Sequence, residues 1–171
     1  MRIWTVGHGT RPAEALLKML EAAGVETLVD VRRYPGSRRN PQYNRAALEA
    51  TLADAGIGYR HLAALGGRLS GEPGEERFAC IRVPAFRSYA ARMAAPGWQD
   101  ALASVLAEPA PCVMCAETPW TKCHRRFIAE LLLARGHEVL HLTPGGVEPH
   151  RLLDEAEVRD GRLFLCGELV A

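Results

Sequence analysis

The amino-terminal part of the chain alternates between apolar runs and a helical pattern, and this alternation constrains the fold more than any other feature. Residues 2–6 and 25–31 are predicted as buried strands, and residues 12–23 between them carry Leu16, Leu17 and Leu20 at helical spacing. Gly24 follows directly, where helices commonly end. A strand, a helix and a second strand within about 30 residues form a βαβ unit, so the two strands are predicted to be parallel.

The rest of the chain continues this alternation. Strands are predicted at residues 58–62, 111–116 and 137–142, and an extended segment at 162–166. Helices are predicted at residues 44–55, 84–95, 97–106, 121–135 and 147–156, two of them capped by Asn44 and Thr121. This order predicts an α/β fold, with a mostly parallel β-sheet flanked by helices on both faces in a Rossmann-like, three-layer arrangement. The length of 171 residues favours a single domain over residues 1–171.

The composition is that of an ordinary globular protein. Hydrophobic residues make up 48% and charged residues 24%, and the net charge of +1 argues against a protein-wide basic field for nucleic acid. No apolar run approaches about 18 residues, so no membrane-spanning segment is expected. The amino terminus lacks the pattern of a secretion signal. We therefore expect a cytoplasmic protein whose five cysteines are reduced.

Three polar residues lie at the ends of predicted strands. His8 comes just after the first strand, Arg32 follows the second, and Cys115 lies at the end of the strand at residues 111–116. Ligands of parallel α/β sheets bind beyond the carboxyl ends of the strands. We therefore predict that His8, Arg32 and Cys115 lie together in a functional site at that edge.

The segment from residue 115 to 125 carries the most chemical information. It groups Cys115, Glu117, Cys123, His124 and Arg125 between a strand end and a helix start. With the helix cap at residue 121, Cys123 and His124 would fall in the first helical turn, where the helix dipole lowers the pKa of a thiol. Three interpretations are open: a thiolate used in catalysis or redox chemistry, a metal site, and a purely structural cluster.

The other cysteines are not predicted to belong to this site. Cys112 and Cys115 are three residues apart on a strand, so they face opposite sides of the sheet and are not expected to form a zinc or thioredoxin pair. Cys80 and Cys166 are assigned no role.

The loop after the second strand is rich in arginine. Arg32, Ser37, Arg38, Arg39 and Asn44 supply donors for an anion, because guanidinium groups bind phosphate and carboxylate in a bidentate manner. The loop also contains two tyrosines that could stack on a base or pack the loop against the protein. An anion or nucleotide site is predicted here, and a solvated loop of surface arginines is the alternative.

Two acid–base groups lie at or near the ends of the first two predicted strands. Asp30 lies at the end of the second strand, and His8 lies in the turn Gly7-His8-Gly9-Thr10, which is of the strand-to-helix type that binds phosphate on helix amides. His8 could act as a base, as a metal ligand or as a hydrogen-bonding brace.

Several motifs occur in order along residues 1 to about 142. They are Thr5-Val6-Gly7-His8, Leu28-Val29-Asp30-Val31-Arg32, Ser37-Arg38-Arg39-Asn40-Pro41, Leu65-Gly66-Gly67, Cys115-Ala116-Glu117 and Cys123-His124-Arg125. Together they resemble the family called domain of unknown function 488. One departure is Gly9, where the family commonly has serine or threonine. The resemblance implies an α/β fold and a shared polar site, but it supplies no reaction.

These features lead to the hypothesis of an enzyme that acts on a phosphate-bearing substrate, either a nucleotide or a nucleic acid. Cys115 or Cys123 would be the nucleophile or redox thiol, and Asp30, Glu117 or His8 would transfer protons. The usual cysteine-phosphatase pattern His-Cys-x5-Arg is absent. The anion would be bound by donors from both segments, namely Arg32, Ser37, Arg38, Arg39, Asn44, His124 and Arg125.

Two alternatives are kept. One is a zinc- or iron-dependent hydrolase with Cys115, Cys123, His124 and His8 as ligands. The other is a non-catalytic module that binds a nucleotide or nucleic acid through the arginine loop. The sequence leaves the cofactor and the oligomeric state open.

Overall fold

A six-stranded sheet forms the centre of the computed structural model, which describes residues 1–171. Its strands in chain order are β1 (Arg2–Gly7), β2 (Thr27–Asp30), β3 (Gly58–His61), β4 (Pro111–Cys115), β5 (Glu138–Thr143) and β6 (Gly146–Pro149). They are arranged in the order β3-β2-β4-β1-β5-β6, with β1 to β5 parallel and β6 antiparallel at the edge. The predicted parallel βαβ unit is present, and β4 lies between its two strands.

Five helices cover both faces of the sheet: α1 (Ala13–Ala22), α2 (Arg45–Asp54), α3 (Pro84–Arg92), α4 (Pro96–Ala107) and α5 (Arg125–Ala134). Successive residues of a strand point to opposite faces, and the core is divided accordingly. Trp4 and Cys112 pack with α1 and α2 in a core of 13 buried residues, whereas Ile3 and Val113 pack with α3, α4 and α5 in a core of 27. The three-layer α/β fold is therefore confirmed. No helix combines the length and the apolar character that crossing a membrane requires.

The carboxyl-terminal segment departs from the prediction. The expected helix at residues 147–156 is wrong, because Pro144 and Gly145 turn the chain after β5 and β6 runs back along it. The backbone N–H of Gly145 donates to the hydroxyl of Thr143 at 3.2 Å, which stabilises the turn. A second sheet follows, and it confirms the extended segment at 162–166. Its strands are β7 (Ala156–Arg159), β8 (Arg162–Leu165) and β9 (Glu168–Leu169).

The structure pairs two of the five cysteines. Cys80 and Cys166 form a disulfide with Cα atoms 5.7 Å apart, across a sequence separation of 86 residues. The expectation that every thiol is reduced is therefore wrong for this pair. Cys166 lies in the turn between β8 and β9, and the contact arises because β8 packs on the larger core beside residues 78–81. The remaining cysteines, Cys112, Cys115 and Cys123, are free.

Candidate functional site

A cleft of about 620 Å³ opens at the carboxyl edge of the large sheet. His8 follows β1, Arg32 follows β2, Cys115 is the last residue of β4, and all three line this cleft. Because β4 lies between β1 and β2, strand ends that are distant in sequence open into one space. The predicted meeting of these three residues at one edge is therefore present in the structure.

Cys115 contacts a histidine and a second cysteine. The Nδ1 atom of His124 is 3.8 Å from the sulfur of Cys115 and 3.8 Å from that of Cys123, and the three atoms lie within 4.8 Å of one another. A hydrogen bond from the Cys123 thiol, assisted by His124 and by the backbone N–H of Glu117, outweighs burial and lowers the pKa of Cys115 well below its usual range. Cys115 is therefore the thiol of the pair that loses its proton more readily.

Cys123 favours the opposite protonation state. Burial, together with the hydrogen bond to Cys115 and the negative charge there, raises the pKa of Cys123 well above its usual range. The positive charge of Arg125 and its backbone N–H, at the amino end of α5, act in the other direction and offset this only in part. The two neighbouring thiols therefore differ in how readily they ionise.

The predicted helix start at Thr121 is wrong. Residues 120–122 form a separate 3₁₀ turn, and α5 begins only at Arg125. Cys123 and His124, which were expected in the first turn of the helix, therefore precede it. The separate turn is held by Trp120, which is buried with its ring stacked on His141 at 4.4 Å. His124 occupies the capping position of α5 but makes no side-chain capping bond, because its imidazole faces the two sulfurs.

The two sulfurs and the imidazole nitrogen also form a ligand set for a soft metal such as zinc. His8, the fourth ligand considered in the sequence, makes other contacts: Nδ1 lies 2.8 Å from the carbonyl oxygen of Gly9 and Nε2 lies 3.4 Å from Nη1 of Arg32. The metal alternative therefore rests on three protein ligands.

Two glycines allow the backbone to close around this cluster. A Cβ atom at Gly67 would lie 2.7 Å from Nδ1 of His124, and one at Gly7 would lie 1.9 Å from the carbonyl oxygen of Glu117. Such contacts are strongly repulsive, so a residue without a Cβ atom is required for this approach. This is the physical reason for glycine in the Gly-His-Gly and Leu-Gly-Gly motifs.

Arg125 supports the loop around the thiols. Its guanidinium group donates hydrogen bonds to the carbonyl oxygens of Glu117 at 2.5 Å and Thr118 at 2.7 Å. The residue is buried and does not line the cleft, whereas Glu117 and His124 do. Arg125 thus positions the loop of residues 116–124, and its geometry does not support the predicted contact with an anion.

Asp30 and Arg32 form a buried ion pair at the cleft. The carboxylate of Asp30 accepts hydrogen bonds from Nη2 of Arg32 at 2.6 Å, from its Nε at 2.9 Å, from its backbone N–H at 3.0 Å, and from the hydroxyl of Tyr59 at 2.8 Å. Asp30 is 0% exposed and Arg32 is 6% exposed. A carboxylate offers about four acceptor positions. Asp30 is therefore saturated, and its geometry suits fixing Arg32 rather than transferring protons.

His8 is held in one orientation. The carbonyl oxygen of Gly9 accepts the proton of Nδ1, which leaves the lone pair of Nε2 directed at the guanidinium of Arg32. Burial lowers the pKa of His8, so the ring is neutral at neutral pH. Tyr43 is fully buried and stacks on the imidazole at 4.1 Å, so only Tyr34, which is 66% exposed, is free to stack on a base.

The positive charge of the cleft comes largely from residues that sequence reasoning missed. Arg33, Arg68 and Lys122 line the cleft together with Arg32, against a single acidic residue, Glu117. Arg68 has a φ of 59°, which is uncommon for a residue other than glycine. Two signals could have found these residues: Arg68 directly follows the Gly-Gly pair, and Lys122 lies within the cysteine loop.

The residues of the arginine loop divide into two groups. Ser37 lines the cleft, whereas Arg38 and Arg39 are exposed and lie outside it. Asn44 precedes α2 as predicted, but its side-chain oxygen accepts the backbone N–H of Ser37 at 2.6 Å. Asn44 therefore shapes the loop, and the structure does not bring Arg38 or Arg39 to the cleft.

A family model described as "Domain of unknown function DUF488" matches residues 12–132 of the 171. The matched segment is more than half of the chain and contains Arg32, Cys115 and Cys123, so the resemblance found in the sequence is confirmed. Neither the curated proteins nor the solved structures include a match to the chain.

Proposed function

The chain belongs to the DUF488 family, and we propose that it is an enzyme whose Cys115 thiolate attacks a phosphate-bearing substrate, either a nucleotide or a nucleic acid. The observation that carries the proposal is that Cys115 and four cationic residues line the same cleft. These cationic residues are Arg32, Arg33, Arg68 and Lys122.

The charge of the cleft suits a phosphate group. A charged partner makes a hydrogen bond worth about 1.5–3 kcal/mol, roughly twice the value for neutral groups. Glu117 is the only acidic residue of the lining, so the cations outnumber it. The first turn of α3 adds Ala85 and Phe86 to the lining and brings the positive end of a helix dipole towards the same space.

The proposed reaction has two steps. In the first, the sulfur of Cys115 bonds to phosphorus while the ester P–O bond breaks, and the leaving oxygen takes a proton from an acid. We assign this acid to Glu117, the one carboxyl group of the lining. In the second, water gives a proton to Glu117 and attacks the phosphorus. The P–S bond then breaks, phosphate leaves (or a phosphate monoester when the substrate is a diester), and Cys115 returns as a thiolate.

His8 and Asp30 act through Arg32 in this scheme. Asp30 fixes the guanidinium from one side, and the neutral ring of His8 lies against Nη1. Both residues are positioning residues, since their polar atoms are engaged within the protein.

A second candidate function is a hydrolase with a metal held by Cys115, Cys123 and His124. It is favoured by the three ligand atoms that lie within 4.8 Å of one another. A chelator would inactivate such an enzyme, and zinc would restore it, whereas the thiolate enzyme is indifferent to the chelator. A non-catalytic binding module would need the cations but not the thiolate.

The cleft cations provide the test of substrate class. Replacing Arg68 or Lys122 by alanine is expected to weaken the binding of orthophosphate or AMP about 10-fold, because each change removes a charge-assisted hydrogen bond of about 1.5 kcal/mol. Titration calorimetry measures the affinities. Arg38→Ala and Arg39→Ala are the matched controls, since these exposed arginines lie outside the cleft, and they should bind as the wild type does.

An equal loss of affinity in the two cleft variants and in the two control variants would contradict a cleft site. It would indicate that the overall charge of the protein, and not a local site, attracts the ligand. The absence of any binding by the wild type would contradict the proposal as well. Binding of a short oligonucleotide that falls steeply with salt, without affinity for AMP, would identify nucleic acid as the substrate class.

A further inference from the structure

The cleft contains a pair of free thiols. Cys115 and Cys123 both line it, and their sulfur atoms lie within 4.8 Å of each other. The third free cysteine, Cys112, belongs to the smaller core on the opposite face of the sheet. Cys80 and Cys166 are already bonded to each other. An oxidant that enters the cleft therefore meets this one pair of thiols.

We propose that hydrogen peroxide converts Cys115 and Cys123 into a reversible disulfide that switches the nucleophile off. The consequence for activity rests on the proposed function, because it requires Cys115 to be the nucleophile. The formation of the bond rests only on the placement of the two thiols.

The chemistry is a two-electron oxidation in two steps. The thiolate of Cys115 attacks one oxygen of peroxide, an S–O bond forms, the O–O bond breaks, and the departing hydroxide takes a proton to become water. The sulfur of Cys123 then attacks the resulting sulfenic acid. An S–S bond forms, the S–O bond breaks, and the hydroxyl leaves as water with the thiol proton. Two equivalents of a small thiol reverse the process.

The movement that the disulfide needs is small. Disulfide sulfurs are about 2.05 Å apart, so sulfurs that start within 4.8 Å must approach by less than about 3 Å. Cys123 has extended backbone angles, with φ −124° and ψ 147°, in the connection between the 3₁₀ turn and α5. It therefore lies outside helical structure, and the approach does not require α5 to unwind.

The two thiols divide the reaction between them. Cys115, which is 6% exposed against 2% for Cys123, is the thiol that meets peroxide, and Cys123 beside it resolves the sulfenic acid. A neighbouring thiol protects a sulfenic acid from further, irreversible oxidation to the sulfinic form. Cys123 thereby acquires a role in addition to its hydrogen bond with Cys115.

The test treats the full chain with peroxide in the presence of dimedone, a reagent specific for sulfenic acids, and reads intact mass and peptide mass. The wild type is expected to lose two hydrogens, to show a peptide linked through Cys115 and Cys123, and to lose that linkage with dithiothreitol. Cys123→Ser is expected to carry dimedone on Cys115 at least 5-fold more than the wild type does. Cys115→Ser should react at neither position, and Cys112→Ala should behave as the wild type.

Equal dimedone labelling of Cys115 in the wild type and in Cys123→Ser would overturn the inference, as would a disulfide that includes Cys112. Cys123→Ala gives a second variant if the serine destabilises the fold. These outcomes involve no phosphate ligand. A disulfide that forms in a protein without affinity for phosphate would reject the proposed function and retain this inference. Affinity for phosphate without formation of the disulfide would reject this inference and retain the proposed function.

Discussion

Substitution of Cys115 by serine is expected to lower the hydrolysis of a phosphate ester by about 10³-fold or more, while leaving ligand affinity within a few-fold of the wild type. A serine hydroxyl stays protonated at neutral pH, so the variant loses the nucleophile on which both steps depend. The cationic residues of the cleft are unchanged in this variant, and they carry the binding of the phosphate group.

Release of phosphate from nucleoside monophosphates and cleavage of short oligonucleotides measure the rate, and calorimetry measures the affinity. Cys112→Ala is the matched control, because Cys112 is a free, buried cysteine on the opposite face of the sheet. Undiminished turnover in Cys115→Ser would refute the thiolate mechanism. Loss of wild-type turnover on addition of a chelator, with recovery on addition of zinc, would favour the metal-dependent hydrolase.

The Arg32→Ala variant is expected to have a free energy of unfolding lower by about 3–5 kcal/mol, because it leaves the carboxylate of Asp30 buried without its charge partner. Asp30 is 0% exposed, and four of its hydrogen bonds come from Arg32, three of them from the guanidinium. The hydroxyl of Tyr59 remains as a partner but cannot neutralise the charge. Urea denaturation measures the change.

The double variant Asp30→Ala with Arg32→Ala should recover part of this loss, since it removes the unpaired charge as well. Arg33→Ala is the matched control: Arg33 is exposed, and its replacement should change stability by no more than about 0.5 kcal/mol. If Arg32→Ala is as stable as the wild type, then the contact between Asp30 and Arg32 does not stabilise the fold, and the positioning role assigned to Asp30 is wrong.

The location of the site could be predicted because it follows from the backbone. His8, Arg32 and Cys115 come at or just after the ends of apolar runs, and parallel strands place such ends at one edge. The division of Cys112 and Cys115 between two faces follows from the period of a strand and is borne out by their separate cores. These inferences need only the direction of each strand.

Side-chain partners could not be predicted in the same way. Arg125 and Arg38 are both arginines in polar motifs, yet one is buried on loop carbonyls and the other is exposed. The difference depends on how the loop of residues 116–124 folds against α5. The spacing of residues along the sequence does not determine this. The disulfide between Cys80 and Cys166 was missed for a related reason, because the two residues meet only once β8 packs on the larger core.

The central claim, a thiolate at Cys115 within an anion-binding cleft, is tested most directly by the rates at which iodoacetate and iodoacetamide alkylate Cys115 across pH. The thiolate is the reactive form, so a lowered pKa makes the rate level off at a lower pH than in a free cysteine, whose pKa is about 8.5. We predict this lower midpoint. We also predict a ratio of iodoacetate rate to iodoacetamide rate higher than free cysteine shows, and slower alkylation of Cys115 in the presence of phosphate. A midpoint near 8.5, with the reagent preference of free cysteine and no protection by phosphate, would contradict the claim.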